Sequence, residues 1–310
     1  MNWNLDPNIL VNLVDFIKMF KFYIFFFVTY NLYLYCIMVS IIVATMVKDE
    51  EDIVRQWIEY YGKIFGYKNL YIIDNYSTDN TYNILQEYIP KGICLNRIKN
   101  FKNKGKIMTL IKDNVDCDFF LPVDIDEFLV LYDKNKNQAY CRNLLEYFNT
   151  IMNKYPEQIL FKTEYIFPVK TNNSNKILKQ FTNGYITNCH KNSAKTFIQN
   201  RLNNNIIIDQ GNHIYTNNYI NTDLYLIHYT IRTHSQFKNK ITNILNGYKY
   251  KINLSSLKEL YKPGLQGRHH VRNCIKLLEN PNIDYTPKTQ NIDDTMINLK
   301  NIIDFIYSSN

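Results

Sequence analysis

Glycine is scarce, 9 in 310 residues, and none of it gathers into the glycine-rich loop that cradles phosphates in Walker-type nucleotide enzymes. Paired cysteines are lacking as well. The six present, Cys36, Cys94, Cys117, Cys141, Cys189 and Cys274, stand far apart, with no C-x-x-C and no Cys/His pair at zinc spacing. A zinc module is thereby excluded, and buried free thiols in a reducing compartment are expected. Basic blocks are missing too: 36 Lys and Arg against 28 Asp and Glu give a net charge of +8, but the lysines are scattered singly, without an RNA-type aromatic signature. No nucleic-acid partner is expected, and a mildly basic enzyme that handles anionic substrates accounts for the excess. Charged residues at 21% against 46% hydrophobic residues exclude wholesale disorder and leave enough apolar surface for a sizeable core. Asn, Ile, Lys and Tyr are abundant together, a compositional bias that devalues single surface lysines and the Asn-x-Ser triplets at Asn75, Asn172 and Asn253 as functional signals.

Long hydrophobic runs are confined to the N-terminus. Phe22 to Val47 is long enough to cross a bilayer, and Lys18 and Lys21 precede it. Its second half, "IMVSIIVATMVKDEED", reads instead as a buried parallel strand running into a polar loop and a helix. One stretch cannot serve as both. Residues 1–36 are therefore read as a hydrophobic extension, an anchor or interfacial segment, with location left between cytoplasmic and membrane-associated.

From Ile37 onward strands and helices alternate. Strands are expected at Val39 to Met46, Asn69 to Ile73, Gly92 to Arg97 and Asp118 to Val123, and helices at Glu51 to Ile64, Asn80 to Tyr88 and Lys106 to Asn114, the second capped by Thr78 or Asp79. This order implies an α/β fold with a mostly parallel sheet and right-handed crossovers, whose ligands bind at the carboxyl ends of the strands. Three domain segments follow: the extension at 1–36, the α/β domain at 37–241, and a helical region at 242–310 broken by Pro263, Gly264 and Gly267.

"FFLPVDIDEFLVL", Phe119 to Leu131, places Asp124, Asp126 and Glu127 at the end of a buried run. In extended backbone Asp124 and Asp126 point to the same side, where two carboxylates repel unless a cation lies between them or one is neutral. Oxygen ligands of this kind suit Mn²⁺ or Mg²⁺ completed by water and phosphates. A strand stopping at a solvated acidic turn is the bland alternative.

The stretches "MVKDEEDIVRQWIEYYGKIFGYKNLYIIDNYSTDNTYNIL" and "FFLPVDIDEFLVL", followed by "KTFIQN", "QGNHIY" and "IHYTIRTHSQFKNKI" in that order, resemble glycosyltransferase family 92 and a related family 2 group of GT-A (Rossmann-like) glycosyltransferases. The resemblance spans Val39 to Ile241. It implies a metal-dependent enzyme that moves a sugar from a nucleotide diphosphate sugar to a hydroxyl of a glycan, protein or lipid acceptor, with inversion. It further implies metal ligation by Asp124, Asp126 and His228, base and ribose contacts from Lys48, Glu50, Asp74 and Asp124, and diphosphate contacts from Lys195, Arg232 and Lys238. Glu164, Asp209 and His213 are the general-base candidates, Glu164 favoured for its apolar surroundings. Asp49 stands where the family has Asn, Tyr61 where it has His, Thr233 where it has Ser, and Lys104 and Lys106 occupy the region of a family Gln. Two other readings stay open: a relative that binds nucleotide sugars without transferring, and another metal-phosphate enzyme such as a nucleotidyltransferase.

Overall fold

The computed structural model describes residues 39–99, 101–186, 195–202, 204–214, 218–265, 267–287 and 296–308. The expected extension at 1–36 lies outside them. Among the described residues no helix is long and apolar enough to cross a membrane. Ser40 to Asn310 fold as one compact unit.

The first half is the parallel one. Strand β1 (Ile41–Val47) is an unbroken apolar run with all seven residues buried, as a strand covered on both faces must be. Helix α1 (Val54–Phe65) buries Val54, Trp57, Ile58, Tyr61 and Phe65, the i, i+3, i+4, i+7 stripe of a helix lying on a sheet. It starts three residues later than expected because Glu50 to Ile53 form a turn in which the Glu50 carbonyl accepts from the Ile53 and Val54 N–H groups. Strand β2 (Leu70–Asp74), helix α2 (Thr81–Gln86), strand β3 (Cys94–Arg97), helix α3 (Lys104–Asn114) and strand β4 (Phe119–Pro122) follow. The strands run parallel in the order β3-β2-β1-β4. Neither expected residue caps α2 from the N-cap position, which Asn80 holds without a side-chain bond, although Asp79 accepts from the Thr81 N–H at 2.9 Å.

The second half is mixed, so parallel pairing does not extend across the whole sheet. β5 (Glu127–Asp133) and β6 (Gln138–Tyr140) form a hairpin, followed by α4 (Leu144–Lys154). Then come β7 (Leu160–Val169), β8 (Asn183–Tyr185), β9 (Thr196–Gln199) and β10 (Ile220–His228). β9 joins the two halves, antiparallel to both β4 and β7. Helices α5 (His234–Gly247), α6 (Leu254–Leu260) and α7 (Arg268–Glu279) share a core of Phe237, Ile241, Leu245, Leu257, Val271, Cys274 and Leu277. Strand β11 (Ile297–Asn298) and helix α8 (Lys300–Tyr307) end the chain. β11 lies between β6 and β8, and the extra pairing of β10 with β7 links β10, β5, β6, β11, β8 and β7 into a closed ring of strands. The helical region is thus no tail: it returns a strand to the sheet.

Candidate active site

The carboxyl ends of β1 and β4 and the start of β5 meet where β10 ends. β4 stops at Pro122, and residues 124–126 form a turn in which the Glu127 N–H donates to the Asp124 carbonyl at 3.0 Å. The expected extended alternation of Asp124 and Asp126 therefore does not hold, and the two carboxylates are addressed by different elements. Asp124 accepts from Lys104 of α3 at 2.5 Å, Lys195 beside β9 at 2.7 Å and Asn212 at 3.1 Å. Asp126 accepts from Lys240 of α5, and the His228 Nε2 lies 3.5 Å from the same oxygen. Glu127, fully buried, accepts from Lys195 at 2.5 Å and from the Tyr165 hydroxyl at 3.3 Å, and its second role is to receive the Asp124 N–H at 2.7 Å.

Three carboxylates are thus matched by three ammonium groups. Burial alone would raise the Asp124 carboxyl, but Lys104 and Lys195 outweigh it and hold it well below the usual carboxylate range. Asp126 is likewise held far down, burial being overcome by Lys240 and His228. Lys195 and Lys240 are pushed up, because their carboxylate partners outweigh the cost of burying an ammonium. Asp124, Asp126, Lys195 and Lys240 are therefore charged at neutral pH.

The loop after β1 is fastened from two sides. Asp49 adopts φ 51°, the left-handed region that Asn and Asp tolerate, so this departure from the family keeps the backbone geometry. Its carboxylate accepts from the Thr78 N–H at 2.5 Å and from Asn243 of α5 at 2.8 Å. Tyr61, another departure, is a buried brace whose hydroxyl donates to the Glu127 carbonyl at 3.0 Å and accepts from the Leu129 N–H at 2.9 Å. Trp57 donates to the Asp124 carbonyl at 3.1 Å. Helix α1 therefore holds the acidic turn through its backbone. Beside this loop opens a cleft of about 490 Å³ whose walls include Asp49, Glu51, Thr78, Asp79, Gln236 and Asn243.

The expected site residues fare differently. Asp124, Asp126, Lys195 and His228 come together as described. Lys48 donates to the Tyr76 carbonyl at 2.7 Å. Asp74 is fully buried, pairing with Arg97 at 2.8 Å and accepting from the Ser77 N–H at 3.1 Å, while the Arg97 guanidinium stacks 4.1 Å from the Tyr82 ring centre. Arg232, expected on the diphosphate, is instead fully buried. Its Nε and one terminal nitrogen each donate to Asp52 at 2.8 Å, that nitrogen also meets Glu50, and the other donates to the Tyr229 carbonyl at 3.0 Å. With its donors committed it pins the β1 loop to the start of α5, and Glu50 is committed with it. Lys238 is exposed. Two residues along a helix turn a side chain by about 200°, so the lysine that reaches the acidic turn is Lys240 and not Lys238.

Of the base candidates, Glu164 is set apart by strand alternation: its neighbour Tyr165 faces Glu127, whereas Glu164 bonds to Tyr225 on the other side. Asp209 is spent on a turn, accepting from the Gly211 N–H at 2.9 Å and the His213 N–H at 2.6 Å. His213 lies in the field of Lys195, and burial together with that ammonium holds its imidazole below the usual range. Sequence reasoning gave no site role to Asn212 or Lys240, read Lys104 only as a departure from the family and left Glu127 of the acidic run without a role; at the start of α7 the His270 pKa is lowered to about 3 by burial, then by His269 and Lys240. Asn212 stands inside the quoted "QGNHIY" and Lys240 is the last lysine of "HYTIRTHSQFKNK", so both sat within recognised segments.

In an α/β sheet ligands bind at the carboxyl ends of the strands, and here those ends gather lysines and carboxylates. The chain belongs to glycosyltransferase family 92, whose profile matches residues 38–262, and it is accordingly a glycosyltransferase. No curated protein matches the sequence. Among solved structures it is similar to Staphylococcus aureus TarS residues 1–349 in complex with UDP, at 13% identity over 78% of this chain and 71% of that one, TM-score 0.43. It is also similar to the mannosyltransferase PcManGT from Pyrobaculum calidifontis in complex with GDP-Man and Mn²⁺, at 9% identity over 78% and 70%, TM-score 0.37.

Proposed function

We propose that the protein transfers a sugar from a nucleoside diphosphate sugar to an acceptor hydroxyl, with inversion at the sugar carbon, in a domain bounded near the match at residues 38–262. The observation that carries this reading is the convergence of Lys104, Lys195 and Lys240 on the acidic turn. Departure of a nucleoside diphosphate builds negative charge on phosphate oxygens, and ammonium groups held at the site stabilise that charge. The adjoining cleft supplies carboxylates and amides, which accept from or donate to hydroxyl groups and repel phosphate. The two regions therefore suit the two ends of a nucleotide sugar.

The metal question turns on Asp126 and His228. A carboxylate oxygen and an imidazole nitrogen 3.5 Å apart fit two neighbouring ligands of one Mn²⁺ or Mg²⁺ ion, with diphosphate oxygens and water supplying the rest. Among the described residues there is no group of three such ligands, and Asp124 is already saturated by lysines and Asn212. Asp126 and His228 are thus the proposed metal ligands, and Asp124 serves to position Lys104 and Lys195. The bound cation would act as a Lewis acid towards the leaving diphosphate. His213, kept neutral by burial and Lys195, is the proposed proton acceptor for the acceptor hydroxyl.

The test is donor turnover and binding. Purified protein given a panel of nucleoside diphosphate sugars should release nucleotide in the presence of Mn²⁺, by mass spectrometry. Asp126→Asn should remove the Mn²⁺ dependence of donor binding in a protein that still unfolds cooperatively in urea. Equal Mn²⁺ dependence in the two proteins would overturn the ligand assignment, and no nucleotide release under any condition would overturn transfer itself.

A further inference from the structure

Lys240 occupies the oxygen that the proposed metal needs. Its ammonium and the His228 Nε2 both address the same Asp126 Oδ2. Two cations cannot share that oxygen without strong repulsion. Of the other buried cations of the site, Lys195, 1% exposed, bridges Asp124 and Glu127, Arg232, fully buried, is held by Glu50 and Asp52, and Lys104, 10% exposed, pairs with Asp124. Lys240 is the one of them paired with Asp126, and its side chain retains 20% exposure on a flexible four-carbon stem.

We propose that Lys240 is a resident counter-ion of Asp126 that a divalent cation must displace, and that the displaced ammonium then turns to the diphosphate arriving with that cation. This rests on the nucleoside diphosphate reading of the site. Charge balance explains why the exchange would be coupled. Asp124, Asp126 and Glu127 are offset by Lys104, Lys195 and Lys240. A divalent ion entering alone leaves a net charge of two positive units among these groups, the released ammonium included, in a largely buried site. Entering with a diphosphate, it brings the negative charge that both it and Lys240 require. Metal and nucleotide should therefore bind weakly apart and well together, with Lys240 as the residue that enforces the pairing. An ordinary structural salt bridge would show no such coupling.

The experiment measures Mn²⁺ affinity directly, by the electron paramagnetic resonance signal of free Mn²⁺, with UDP or GDP absent and present. For the unmutated protein, nucleotide should tighten Mn²⁺ binding by about tenfold or more, the usual scale of coupling between sites. Lys240→Met should bind Mn²⁺ alone about tenfold more tightly than the unmutated protein and gain much less from nucleotide. Lys240→Arg, which keeps the charge, should behave like the unmutated protein, and Lys240→Gln repeats the test should the Met variant fail to fold. Unchanged or weaker Mn²⁺ binding by the Met and Gln variants would overturn the displacement while leaving the site's metal role standing. Absence of Mn²⁺ and nucleotide binding in every protein would overturn both.

Discussion

Arg232 shows how much of this site is scaffold. A fully buried guanidinium is tolerable only when its donors are satisfied, and here two carboxylates and a carbonyl meet it. The burden is reciprocal: burial raises the Glu50 carboxyl pKa despite the opposing pull of Arg232, so removing the guanidinium would leave that carboxylate without its main partner. Arg232→Met should destabilise the fold by about 3–5 kcal/mol, the cost of breaking a buried pair from one side. Arg232→Lys should recover little, because one ammonium cannot reproduce the bidentate contact with Asp52. Urea unfolding monitored by tryptophan fluorescence reads both, and a loss below about 1 kcal/mol for the Met variant would place the pair among ordinary surface salt bridges. The residue types of the site were legible in the sequence because DIDEF, the histidine of "IHYT" and Lys195 each sit in a distinctive segment. Their partners were not, since Arg232 and Lys195 are both cations and only packing decides that Arg232 meets Glu50 and Asp52 while Lys195 bridges Asp124 and Glu127.

At the scale of elements, phase and termination decide the outcome. The helical period of α5 separates Lys238 from Lys240, and the end of β4 at Pro122 breaks the alternation that would have set Asp124 beside Asp126. The strand positions of the first half were readable from their apolar runs. The ring of short strands was not, because β6, β8 and β11 are only two or three residues long and carry no periodic signal. The start of α7 carries a consequence for pH. His270 is held at about 3 by burial, His269 and Lys240, against about 6.5 in an unfolded chain. Between those values the native imidazole stays neutral while the unfolded one takes up a proton, so stability is lost as pH falls from about 6.5 toward 3. His213 acts in the same direction. Urea midpoints at pH 7.5 and pH 5 separate this from the carboxylates, whose unfolded values lie near 4. His270→Gln should lose less stability between the two pH values than the unmutated protein, and equal losses would show that the α7 terminus does not govern acid sensitivity.

At the scale of the whole molecule, the C-terminal residues are part of the sheet that carries the site. β11 bridges β6 and β8, its Ile297 and the Leu299 that follows it are buried, and α8 buries Ile302, Ile303 and Ile306. Phe305 meets Tyr60 of α1 edge-on at 5.8 Å, and Lys63 of α1 donates to the Ser308 carbonyl at 2.6 Å. Since α1 also holds the acidic turn through Trp57 and Tyr61, the last turn of the chain lies one helix away from the Asp124 backbone. Deleting residues 296–310 removes five large buried apolar side chains, each stabilising by roughly 1.5–3 kcal/mol, a sum comparable with the whole stability of a typical domain. The truncated chain should therefore lose its cooperative urea transition, and with it nucleotide binding, although none of the described residues among those deleted pairs with the lysine and carboxylate cluster. Full retention of a cooperative transition with the midpoint unchanged would mean that the ring of strands closes without β11 and that the C-terminal residues decorate the fold without supporting it.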